Sequence, residues 1–243
     1  MLKKLVRSLA KKSGYEILGK TLSYARNRSL YGLIQQEQIN LVLDVGANMG
    51  QFASELRTFG YTGRIISFEP LPLAHAALRK QAEADRNWTI ANRTAIGAET
   101  GSIEIHVAGN SVSSSILEML PSHSQAEPQS SYIGTETVPI HRLDDLCNFV
   151  PTDRVLLKID VQGYERQVLE GAQRVLGNCR AVISEMSLVP LYDGQILARE
   201  MWNLMAAEGF DTWSLESGFR HPETLRMLQI DGAFVRSKDG SRA

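Results

Sequence analysis

The sequence predicts an α/β fold built on a mostly parallel sheet with helices on both faces. Three observations predict it. From residue 40 onward, short β-branched apolar runs alternate with segments of helical period, the pattern of repeated strand–helix units. Several of these runs end in an acid, as at Asp44, Glu69 and Asp160, which places carboxylates along one edge of such a sheet. The last two apolar runs have no helix between them, so an antiparallel pair is expected at the sheet edge.

Ile39–Val45 is an apolar run suited to a strand buried on both faces. Residues 51–59 carry Phe52, Leu56 and Phe59 at helical spacing. Residues 63–68 form a second strand, 72–84 a second helix and 88–92 a third strand. Residues 102–107 alternate like a more exposed strand. The stretch 109–136 is rich in Ser, Gly, Gln and Pro and is expected to be a long loop or lid, since long loops inside compact domains are often functional. Regularity resumes with a strand at 154–159, a helix at 165–176, a strand at 180–185 and a helix at 195–208. The closing strand pair is 210–215 and 225–236.

Two domains are expected: a basic helical extension over 1–37 and the main α/β domain over 38–243. In the extension, Leu2, Leu5, Val6 and Leu9 make one apolar stripe, and Lys3, Lys4, Arg7, Lys11 and Lys12 crowd the rest. A helix packed on the core with a solvated basic face is the simpler reading. The competing reading is contact with an anionic membrane surface through residues 1–28.

The chain has 243 residues, 43% hydrophobic and 22% charged, which is ordinary for a globular protein. A net charge of -1 argues against a nucleic-acid partner, which calls for a basic excess or face. Cys147 and Cys179 form no zinc-spaced cluster and fit a reducing cytoplasm. No apolar run reaches membrane-spanning length, and the N-terminus lacks the apolar stretch of a signal peptide.

The strongest motif is LVLDVGANMGQF, residues 41–52. A buried strand ends at Asp44 and Val45, Gly46 and Gly50 bracket a tight turn, and a helix follows. Such a turn presents free N–H groups and lets the backbone approach a ligand. The GxGxxG dinucleotide fingerprint fails here, and Asp44 suits a cationic amino group better. ISFEP, residues 66–70, puts Glu69 at the next strand end, where a carboxylate can accept from two ribose hydroxyls. LLKIDVQGYE, residues 156–165, places Asp160 at the carboxyl edge of the sheet beside Asp44.

Together, in this order, these segments resemble the FkbM family of methyltransferases over about residues 40–236. NRTAIG at 92–97, SVSSS at 111–115, RLDDL at 142–146 and FVR at 234–236 match as well. The resemblance implies a class I methyltransferase Rossmann-like fold with a seven-stranded sheet, S-adenosyl-L-methionine as cofactor and an O-linked acceptor. Many relatives act on sugars, glycolipids or polyketide-like products, so a small-molecule or glycan acceptor is expected. Carried over by residue, Asp44, Gly46, Asn48 and Gly50 line the methionine end. Glu69 holds ribose, Thr94 and Ala95 lie near adenine, and Asp160 faces the methyl group.

Methyl transfer to an alcohol needs alignment of the two reacting atoms and help in removing the acceptor proton. Asp160, Glu185 and His141 are the candidates. Two carboxylates at adjacent strand ends could instead share a divalent cation. No metal site is predicted, because no additional Asp or Asn directly follows Glu185 to complete an obvious shell. Tyr164, Tyr192 and Trp202 are candidates for the acceptor pocket or for plain packing. Two other readings compete: an NAD(P)-dependent oxidoreductase and a non-catalytic cofactor-binding subunit. The missing GxGxxG counts against the first, and the intact Asp44, Glu69 and Asp160 set against the second.

Overall fold

The computed structural model describes residues 29–238, so the basic stripe and any membrane contact of residues 1–28 lie outside the described residues. Residues 29–36 are helical (α1) and bury Leu33 and Ile34 against the domain, so the end of the expected extension packs on the core. A seven-stranded sheet follows, formed by β1 (Leu41–Val45), β2 (Arg64–Phe68), β3 (Trp88–Ile90), β7 (Val155–Ile159), β8 (Cys179–Ser187), β9 (Phe210–Ser217) and β10 (Gln229–Arg236). Its order is β3-β2-β1-β7-β8-β10-β9. The first five strands run parallel, and β10 inserts between β8 and β9 antiparallel to both.

Strand alternation decides which helices cover which face. Leu41, Leu43 and Val45 share a core with Leu157, Ile159 and residues of α6 (Glu165–Glu170), α7 (Gln173–Asn178) and α8 (Ala198–Ala207). Val42 and Leu156 point to the opposite core, with α1, α2 (Gln51–Thr58) and α3 (Pro72–Ala82). Helices therefore cover both faces, as the apolar runs of β1 and β7 require. Among the described residues no helix is long and apolar enough to cross a membrane.

Three expectations are corrected. The 109–136 stretch is not one loop: it holds α4 (Pro121–Ser124) and a 3-10 turn (Pro128–Ser130), and its end opens β6 (Tyr132–His141). β6 pairs with β4 (Ala95–Ile96) and with β5 (Gly101–Ala108) in a separate three-stranded sheet. Gly134 and the polar residues before it hid a strand that buries only Val138 and Ile140. The single helix expected over 165–176 breaks into α6 and α7 at Gly171. A Cβ there would lie 1.9 Å from the Gly97 carbonyl oxygen, so the close approach of that loop requires a glycine. The last strand begins at Gln229, and the residues before it form a turn bridged between Arg220 and Met227.

Candidate active site

A cleft of about 370 Å³ opens at the carboxyl ends of β1, β2 and β7, in the size range of small-molecule sites. Its lining includes Gly46, Asn48, Glu69, Thr94, Ala95 and Asp160, which brings six of the sequence-predicted residues together. Phe68, Ile96, Ile105 and Ile116 give it an apolar wall suited to a flat ring. The polar groups of Asn48 and Asp160 suit the charged end of an amino-acid-bearing nucleoside. The donor set and the volume thus fit S-adenosylmethionine.

The glycine turn works differently from the sequence reading. Gly46 has φ +73°, and a Cβ there would lie 1.9 Å from the Asp160 backbone oxygen. What it admits first is the neighbouring strand end, because Asp160 N–H also donates to Val45 at 3.1 Å. Gly50, φ +91°, starts α2, and its missing side chain leaves room for Trp88 and Leu78.

Asp44 does not line the cleft. It is wholly buried behind the wall, with Lys158 Nζ 3.1 Å from Oδ1 and Ser67 Oγ donating to Oδ2 at 3.3 Å. Trp88 Nε1 in turn donates to Ser67 Oγ at 2.9 Å. Lys158 also donates to the Gly46 carbonyl at 2.9 Å and lies 3.5 Å from Asp160 Oδ2. Burial opposes its charge, but Asp44 and Asp160 raise its pKa overall. Sequence reading missed Lys158 as a site residue. Its signal was a cation inside an otherwise apolar strand, RVLLKI.

Glu69 is buried, and its oxygens accept from Asn48 N–H at 2.9 Å and Leu71 N–H at 2.8 Å. Burial nevertheless pushes its pKa up to about 7, against those two hydrogen bonds and Lys158. Thr94 Oγ1 lies 2.9 Å from His141 Nδ1 and donates within its own loop. His141 therefore sits behind Thr94, outside the cleft lining.

Asp160 and Glu185, the other two candidates, meet through a third residue. Gln162 Nε2 donates to Asp160 Oδ1 at 2.8 Å and to Glu185 Oε2 at 2.9 Å. Gln229 Nε2 adds a second donor to Glu185 Oε2 at 2.7 Å. Burial, then the charges of Asp160, Asp231 and Glu165, hold the Glu185 carboxyl well above the usual range. The Asp160 side chain is 40% exposed, so it is the member of the pair open to a ligand.

The serine cluster also reaches the cleft, through Ser111, Ser114 and Ser115. Ser115 Oγ donates to the Gln162 carbonyl at 2.6 Å. Among the aromatic candidates, Tyr192 is wholly buried and Trp202 packs edge-on against Phe234. Tyr164 joins the core of the small sheet. None of the three lines the cleft. Among the described residues no three His, Cys, Asp or Glu side chains cluster as a metal-holding group. Both cysteines are free and buried.

A parallel sheet with one antiparallel insertion, a glycine turn after β1 and an acid after β2 define a nucleoside-cofactor methyltransferase of the α/β class. The methyltransferase FkbM domain matches residues 44–212, and the chain belongs to that family. It is an S-adenosylmethionine-dependent methyltransferase, which sets aside the oxidoreductase reading. A curated relative, the 2-O-methyltransferase NoeI of Sinorhizobium fredii, is 27% identical over 193 residues, covering 76% of this chain and 78% of that protein. Among solved structures, precorrin-6y C5,15-methyltransferase from Geobacter metallireducens aligns with TM-score 0.44 and 12% identity, over 87% of each chain. TehB from Haemophilus influenzae aligns with TM-score 0.46 and 11% identity, over 87% of this chain and 62% of that one.

Proposed function

We propose that this enzyme methylates a hydroxyl oxygen on a sugar, glycolipid or related acceptor. The observation that carries the proposal is the pair of carboxylates, Asp160 and Glu185, joined by one amide beside the cleft. An alcohol is a weak nucleophile at neutral pH, so a base at the reacting oxygen is the help the reaction needs. Bound S-adenosylmethionine supplies a methyl group on a sulfonium, so the leaving side asks nothing more of the protein.

The remaining roles belong to side chains and turns of this chain. The 46–50 turn and Asn48 face the methionine end, while Asp44 acts from behind through Lys158. Glu69 accepts from the ribose hydroxyls, and Thr94 and Ala95 flank the adenine. Asp160, the exposed carboxylate, takes the acceptor proton. The name of the NoeI relative, a 2-O-methyltransferase, supports a hydroxyl acceptor.

Turnover of methyl-labelled S-adenosylmethionine on methyl hexosides and alkyl glycosides, read by mass spectrometry, tests this. Asp160→Asn is expected to lower kcat by roughly 10²–10⁴-fold, the scale of a lost general base, with cofactor affinity little changed. Chelator is expected to do little. Near-normal turnover in both Asp160→Asn and Glu185→Gln, or loss of turnover with chelator and recovery with magnesium, would overturn carboxylate activation.

A further inference from the structure

Gln162 stands in a conformation that its sequence neighbours do not explain. Its φ is +54°, unfavourable for a residue with a Cβ, and Gly163 follows at +100°. This double left-handed turn carries the Gln162 side chain across from the β7 edge to Glu185 on β8. The strain is held from three sides. Ser115 Oγ fixes the Gln162 carbonyl at 2.6 Å. Tyr192 O–H donates to Oε1 at 2.9 Å, which leaves Nε2 for the carboxylates. Gly163 itself packs against the Tyr192 Cβ, where an added Cβ would come within 3.1 Å.

Both hydrogens of one amide nitrogen are thus committed to two carboxylates, one just past β7 and one within β8, at 2.8 and 2.9 Å. The two accepting oxygens are therefore neighbours at hydrogen-bond distance from one nitrogen, with the Asp160 side chain 40% exposed. Like charges so placed disfavour joint ionisation, and hydrogen bonds to the charged forms relieve this. We propose that Gln162 is the positioning residue for acceptor activation: its amide clamps Asp160 and Glu185 into one electrostatically coupled pair. The inference rests on Asp160 and Glu185 serving the acceptor proton. In that step the acceptor O–H bond breaks, its proton passes to Asp160, and the oxygen's electron pair forms the bond to the methyl carbon. Glu185 sets how readily Asp160 accepts.

The groups facing this pair are Glu165 from α6, Asp231 from β10, Gln229 from β10 and Lys158 from β7. The Tyr192 hydroxyl reaches it through Gln162. Removing the amide takes away a hydrogen bond that favours the charged form of Glu185, so that carboxyl should titrate at higher pH.

Carbon-detected NMR titration of carboxyl-labelled full-length protein tests this without any acceptor, with Glu185→Gln and Asp160→Asn used to assign the signals. In Gln162→Leu the Glu185 midpoint is expected to rise by at least one pH unit. In turnover of the methyl-hexoside panel, kcat at neutral pH should fall by roughly 10–100-fold. The acid limb of its pH profile should move up, with partial recovery at alkaline pH and a much smaller change in KM. Tyr192→Phe keeps the amide but removes its anchor, and should move the limb the same way by less. It also serves if Gln162→Leu does not fold.

Unmoved titration midpoints in both variants overturn the clamp. A uniform loss of kcat with the acid limb in place also overturns it, because a merely structural role would act that way. An inactive Asp160→Asn beside an unmoved Gln162→Leu profile leaves the base reading standing while removing Gln162 from it. Full turnover in Asp160→Asn and Glu185→Gln removes the base reading instead.

Discussion

The two ends of the cleft handle buried acids in opposite ways. At the β1 end, Asp44 is wholly buried but faces a cation, Lys158, at 3.1 Å. At the β8 end, Glu185 meets two amides, and Asp160, Asp231 and Glu165 crowd it with like charge. The first arrangement fixes charge in place, and the second leaves a carboxyl that favours holding a proton. A site that binds a cationic sulfonium cofactor and also removes a proton needs both. Lys158 joins the two ends, since it lies 3.5 Å from Asp160 as well.

That contrast can be broken most severely at the turn between the two ends. Gly46→Ala places a methyl group 1.9 Å from the Asp160 carbonyl in a left-handed conformation. The cost should exceed the ~1–3 kcal/mol of ordinary overpacking, because strand backbone must move. Loss of soluble, cooperatively unfolding protein is expected. A folded variant of near wild-type thermal stability would show that the two strand ends are not locked together.

Removing the cation comes next. Lys158→Met leaves Asp44 buried without its counter-charge and should cost about 3–5 kcal/mol, read by urea unfolding. Asp44→Asn in the same chain should restore part of it. The equivalent change at the other end, Glu185→Gln, removes a crowded acid and should cost little or stabilise.

On the cofactor side the contrast is sharpened at Glu69, with an effect smaller than that of losing Lys158. Its folded pKa of about 7 lies above the ordinary value of 4.5. Its contribution to the stability of the free protein is therefore complete below pH 4.5 and is lost as pH rises through 7. Ribose hydroxyls donating to the carboxylate favour its charged form, so cofactor binding should pull that pKa down. S-adenosylmethionine affinity is then expected to rise between pH 6 and 8, by up to about tenfold per unit below 7. Glu69→Gln should flatten the profile and weaken binding by roughly 1–3 kcal/mol. Calorimetry across that range checks both, and a flat wild-type profile would detach Glu69 from the cofactor.

Sequence motifs and chemistry do not coincide everywhere. The Asp144 carboxylate of RLDDL accepts from the backbone N–H groups of Arg174 and Val175, so it holds the start of α7. Arg236, closing FVR, donates to the carbonyls of Cys179 and Glu208 and stacks over Phe210 at 4.0 Å. Both stretches build the scaffold. In NRTAIG, Gly97 is the close neighbour of Gly171, while Thr94 and Ala95 line the cleft. SVSSS reaches the cleft and also braces Gln162.

The sequence by itself determined the alternation of strands and helices, the two-faced burial of β1 and β7, and the edge at which Asp44, Glu69 and Asp160 end. Those follow from local periodicity and from strand direction, which a linear pattern carries. Only the tertiary structure decided that Asp44 faces Lys158 instead of the cleft, that Gly46 makes room for the Asp160 carbonyl, and that β6 completes a second sheet. It alone showed Gln162 joining Asp160 to Glu185. These depend on which side chains of separate strands share one volume, and on backbone approaching backbone between residues about 115 apart. Spacing along a single chain does not encode such distances.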